Sequence, residues 1–124
     1  MAKKVPIVWL REPAAPNYPA ALSFLTLVFA PKQAKALVKK LRNTKEVSRF
    51  KAKDVFRASG LSLLGVSNSH VARDRRKISA GTPLSPLLLV RIPDKASVIV
   101  ADGYHRMCAV YAVDEDAVVP CKIA

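Results

Sequence analysis

Residues 97–109 read SVIVADGYHRMCA. Val98, Ile99 and Val100 form a β-branched apolar run that stops at Asp102 and Gly103, after which Met107, Cys108, Val110 and Tyr111 recur at helical spacing. That change of period predicts a strand, a tight turn and a helix. Asp102, His105 and Arg106 fall at the turn and in the first helical turn, where backbone N–H groups lack intrahelical partners. A helix start presented in this way suits a phosphate or another anion. Each residue also has a plain structural role: Asp102 as an N-cap, Gly103 as a turn residue, Arg106 paired with Asp102 or Glu115, His105 as a hydrogen-bonded structural histidine. Gathered at one helix start in a basic chain, they favour an anion site.

Working outward, LLLVRI at 87–92 is a nearly continuous apolar run and reads as a buried strand. The PDKA turn joins it to the strand at 97–101 as a hairpin. Beyond the helix, which runs to about Val113, the acidic DED is a loop and VVPCKIA a final strand; Pro120 places that strand at or near a sheet edge. Upstream, residues 61–81, LSLLGVSNSHVARDRRKISAG, allow two readings. In the first, 61–66 is loop, Asn68 or Ser69 caps a helix, and Gly81 ends it. In the second, segment 57–77 is a helix-turn-helix with its turn at Gly65, Val66 and Ser67, and Arg73, Arg75, Arg76 and Lys77 reach phosphates or base edges. Against the second stand Gly60 inside the supposed first helix and Asp74 in the recognition helix.

Residues 50–52 suggest a short strand, followed by a helix over AKDVFRAS that Gly60 stops. PKQAKALVKKLRN at 31–43 is amphipathic, with Ala34, Leu37, Val38 and Leu41 as its apolar stripe and Pro31 at its first position. AALSFLTLVFA at 20–30 is too short to span a bilayer, and its flanking prolines, Arg11 and Glu12 do not suit a signal peptide. It reads as a buried helix entered at Asn17 or Tyr18 and ended by Pro31. Residues 5–10, after Lys3 and Lys4, are an edge strand or extended arm.

The 124 residues suit a single domain, 1–124, with an arm and helices over 1–49 and a core over 50–124. Lys+Arg 21 against Asp+Glu 9 leaves a formal charge of +12, which favours anionic partners: a nucleotide or phosphorylated small molecule, or nucleic acid. Cys108 and Cys121 form no paired motif and read as reduced thiols of a cytoplasmic protein, with no membrane association expected. Together with His105 they make three ligands where structural zinc sites use four, so no metal site is assigned.

Gly81-x-x-x-Ser85-Pro86-Leu87-Leu88-Leu89-Val90, the turn-helix Asp102-Gly103-Tyr104-His105-Arg106-Met107-Cys108-Ala109, and the last strand Val119-Pro120-x-Lys122-Ile123 together resemble the ParB/sulfiredoxin-like superfamily. Gly103, Arg106 and Ala109 match the Gly-Glu-Arg-Arg turn-helix of ParB proteins; Gly103, His105 and Arg106 match the Gly-Cys-His-Arg of sulfiredoxins, with Tyr104 where their catalytic cysteine stands. The resemblance covers about half the chain. It implies an α+β fold, a small mixed sheet with helices packed on it and an added N-terminal helical segment. It also implies that the turn holds a nucleoside triphosphate. The amides of Gly103 and Tyr104 would approach phosphate oxygens, Arg106 and His105 would donate to them, and Asp102 would tolerate phosphate with Mg²⁺ between. His105, kept neutral at a helix start, and Asp102 are then the candidate catalytic groups for hydrolysis or phosphoryl transfer. Tyr104 argues against sulfinic acid reduction. Partition activity is not expected either, since no DNA-binding helical region follows. A nonenzymatic DNA-binding protein using 57–77, and a partner-binding protein whose fold has lost its ligand, are the other classes open to this sequence.

Overall fold

The computed structural model describes residues 6–65 and 67–124. Lys3, Lys4 and Val5, and Val66 of the expected helix-turn-helix turn, lie outside the described residues. In chain order the elements are α1 (Asn17–Val28), α2 (Pro31–Asn43), β1 (Ser48–Lys51), α3 (Ala52–Ser59), α4 (Ser69–Ala80), β2 (Leu87–Ile92), β3 (Ser97–Asp102), α5 (Tyr104–Val113) and β4 (Val118–Ile123). The fold is mixed α+β. Its sheet runs β1-β4-β2-β3, with β2 and β4 parallel and the two outer pairings antiparallel.

Alternation along the strands divides the core into two layers. Leu87 and Leu89 of β2, Val100 of β3, and Val119 and Cys121 of β4 face a cluster built with α3, α4 and α5. Leu88, Val90 and Ala101 face the other way and pack with Tyr18, Ala21 and Leu25 of α1 and Ala34, Val38 and Leu41 of α2. The run 87–90 is apolar at every position because both faces of β2 are covered. The predicted stripe of α2 is the face it buries, with Leu37 at its margin. The arm pairs through Trp9 with Leu84 just ahead of β2, the Leu10 N–H donating to the Leu84 carbonyl and the Leu84 N–H to that of Val8.

Four expectations are corrected or narrowed. α1 is not a buried helix: only Tyr18, Ala21 and Leu25 are buried, while Phe24 and Val28 are exposed and Leu27 is 84% exposed. An all-round apolar helix still presents one stripe to a sheet, and here nothing among the described residues covers the opposite side. The short strand lies at Ser48–Lys51, and Ala52 opens α3 instead.

Third, of the two placements Pro120 allowed, at or near a sheet edge, the second holds: β4 is an inner strand beside the edge strand β1. The Ala124 N–H donates to the Leu89 carbonyl, so the even-numbered residues of β4 direct their backbone groups toward β2. The missing N–H of Pro120 therefore falls one residue before the parallel register with β2 begins at Cys121, where no ladder bond is lost. Fourth, the helix-turn-helix over 57–77 does not form. α3 ends at Ser59 with Gly60 left-handed at φ 65°, and 61–65 is irregular. The capped-helix reading holds instead: Asn68 Oδ1 accepts from the N–H groups of His70 and Val71, and Gly81 closes α4 at φ 72°.

Candidate functional site

β3 delivers the chain to Asp102, and Gly103 turns it into α5 at φ 109°. A Cβ at Gly103 would lie 2.3 Å from Leu87 Cδ2 and 2.8 Å from Arg106 Nη2, so the turn requires glycine for space as well as for conformation. Among the described residues no side chain caps α5, which leaves the amides of its first turn without that partner. Asp102 takes a different role: its Oδ2 accepts from Arg106 Nη2 at 2.8 Å, each side chain being 17% exposed. Arg106 is thereby held one turn along the helix with its Nε buried and without an acceptor among the described residues.

The packing of α4 on α5 builds the rest. A cleft of about 360 Å³ is lined by Asp102–Arg106 on one side and by Arg73, Asp74 and Lys77 of α4 on the other. Leu84 and Ser85 line it as well, together with Ala14 and Asn17. Ser85 Oγ accepts from the Ala14 N–H at 2.9 Å and from Asn17 Nδ2, which fixes the segment before α1 against the site. Arg73, Lys77 and Arg106 set three cations in the cleft against the carboxylates of Asp74 and Asp102. Asp74 is 3% exposed, with Arg73 Nε 3.9 Å from its Oδ1.

His105 stands between the two helices. Its ring lies 4.8 Å from that of His70 and 5.5 Å from that of Tyr104. Burial lowers its pKa below the ordinary 6.5, the nearby His70 and Arg73 lower it further, and Asp74 opposes them. Neutral imidazole is thus the resting form near pH 7. The Tyr104 hydroxyl donates to the Ser62 carbonyl, and burial, followed by the neighbouring Cys108, raises its pKa. Cys108 is buried beneath, its Sγ 3.5 Å from the Leu64 N–H, and burial raises its pKa too. The loop 61–65 is therefore tied to α5 through both residues.

The predicted residues are partly brought together and partly separated. Gly103, Tyr104, His105 and Arg106 share the cleft with Asp102, and Arg73 and Lys77, read from the sequence as nucleic-acid contacts, join them. Arg75 and Arg76 do not; they lie with Ala72, Ser79 and Ala80 on another side of α4. Asp74, Ser85, Asn17 and His70 went unassigned. The signal for Asp74 was present, a single carboxylate among the cations of α4, whereas Ser85 and Asn17 reach the site only through packing.

The donor set does not fit a resident metal ion. Both carboxylates of the cleft already face cations, and among the described residues no group of three His, Cys, Asp or Glu side chains is placed to hold one. Among the described residues no helix is long and apolar enough to cross a membrane. No protein-family model, curated protein or solved structure matches this chain.

Proposed function

We propose that the cleft between α4 and α5 binds a phosphoryl group of a nucleotide or phosphorylated small molecule. The observation that carries this reading is the seating of Arg73 and Lys77 of α4 opposite the uncapped start of α5. Anions are favoured at such a terminus, and its first amides point at the ligand. Gly103 leaves room for the Arg106 side chain beside the turn, Arg106 supplies a fork of donors, and Asp102 positions that fork. A buried donor without an acceptor, such as Arg106 Nε, is costly, and an oxyanion would satisfy it. The resemblance to the ParB/sulfiredoxin-like superfamily supports the same ligand class. Any Mg²⁺ arrives with a triphosphate's own oxygens. If the ligand is turned over, neutral His105 is the group able to accept a proton from an attacking hydroxyl or water. Asp102 serves by holding Arg106. The two unpaired cysteines suit a cytoplasmic setting.

A thermal-shift series with ATP, CTP, GTP, ADP and inorganic phosphate, with and without Mg²⁺, tests the proposal on wild type, Arg106→Ala and Arg73→Gln. A ligand confined to the folded state stabilises it by about 2.7 kcal/mol at a hundredfold excess over Kd. A shift with one of these ligands that both substitutions reduce is expected. Absence of any shift in wild type would overturn the reading. The outward Arg75 and Arg76 favour a second reading, in which this side of α4 contacts nucleic-acid phosphates.

A further inference from the structure

Lys122 lies on β4, an inner strand, and faces the α1/α2 layer, which is otherwise lined by aliphatic and aromatic side chains. It is 3% exposed. Its Nζ donates to the Tyr18 hydroxyl at 3.2 Å, and no carboxylate among the described residues pairs with it. The Arg42 guanidinium covers the same ring, 4.6 Å from its centroid, while Lys122 Nζ is 5.9 Å from that centroid. Two cations thus converge on one buried phenol. Burying a charge is expensive unless an opposite charge accompanies it.

Both cations line a cleft of about 690 Å³ with Tyr18, Asn43, Thr44, Lys45 and Glu12. This cleft is separate from the one at α5 and shares no lining residue with it. A phenol that accepts a hydrogen bond from an ammonium keeps its own proton free to donate. Lys122, Tyr18 and Arg42 therefore present donors of three kinds to one volume. The C-terminal end of α2 contributes a partial negative charge there, but that end already carries Arg42.

We infer that this cleft is a second anion site, which takes a phosphate group between Lys122, the Tyr18 hydroxyl and Arg42. Glu12, the one carboxylate lining it among the described residues, competes with the ligand from the rim.

Calorimetric titration of inorganic phosphate into Arg106→Ala isolates this site from the α5 cleft. One equivalent is expected to remain bound. Adding Arg42→Gln or Lys122→Met weakens it about tenfold or more, the usual worth of one charge-assisted hydrogen bond. Lys32→Gln, an exposed cation at the far end of α2, leaves it unchanged, and Glu12→Gln tightens it. Arg42 is at the surface, so its substitution reports even if Lys122→Met fails to fold; amide shifts at Asn43, Thr44 and Lys45 on adding phosphate locate the ion independently. Glycerol 3-phosphate in place of phosphate distinguishes a phosphomonoester from the free ion. Absence of binding in Arg106→Ala, or binding indifferent to Arg42→Gln, overturns the inference. If instead wild type and Arg106→Ala each bind one phosphate that Arg42→Gln abolishes, the second site stands and the α5 reading falls.

Discussion

Gly103 controls the cleft through a single missing atom. Gly103→Ala forces a left-handed Cβ into buried Leu87 and displaces the Arg106 fork. Overpacking together with the unfavourable φ costs about 2–4 kcal/mol, to be read as a lower urea midpoint at unchanged slope. Phosphate binding at α5 is expected to fall in the folded fraction as well. His105 makes a prediction of pH dependence. Its folded pKa lies below 6.5, chiefly through burial and then through His70, so the unfolded chain takes up the proton more readily. Its contribution to stability is then complete above the unfolded value and is lost as pH falls through the folded one. Wild type should lose stability from pH 7 toward pH 5 more steeply than His105→Gln; parallel curves would show that His105 titrates as in the unfolded chain.

α4 is the element that turns a helix start into a cleft, and its own start rests on Asn68. Asn68→Ala removes the acceptor used by the His70 and Val71 amides and is expected to cost about 1 kcal/mol. Because the first turn of α4 leads directly to Arg73, phosphate affinity at α5 should fall along with stability. Asn68→Asp keeps an acceptor at the same position and should restore both, as measured by chemical denaturation and by the same titration. A loss of affinity that Asp does not restore would place the effect elsewhere than the cap. α4 also shows why a charged helix face is ambiguous in sequence. Its cations are shared between the cleft, which takes Arg73 and Lys77, and an outer side, which takes Arg75 and Arg76.

For the whole molecule, a net charge of +12 predicts association with duplex DNA at low salt whether or not a dedicated surface exists. If the outer side of α4 makes the contacts, Arg75→Gln with Arg76→Gln lowers the slope of log K against log salt by about 2, while Arg106→Ala leaves it unchanged. A slope that responds to Arg106→Ala instead would put the polyanion in the α5 cleft. Strand, turn and helix at 97–113, the stripe of α2, the Gly60 and Gly81 stops and the Asn68 cap were legible in the sequence, because period, capping and backbone conformation are set by residues within a turn of one another. So was the identity of the turn as an anion site candidate, which needs only Gly103 and the polar residues beside it. Tertiary structure alone decided that β4 is an inner strand, since Pro120 costs a ladder bond only if its neighbour extends that far. It alone left half of α1 uncovered and brought Arg73, Lys77 and the Ser85 contacts to the turn, whereas the i,i+4 pair of Asp102 and Arg106 was one of the two pairings open in the sequence. Those outcomes depend on which faces of distant elements meet, and that is settled by burying both sides of one sheet at once.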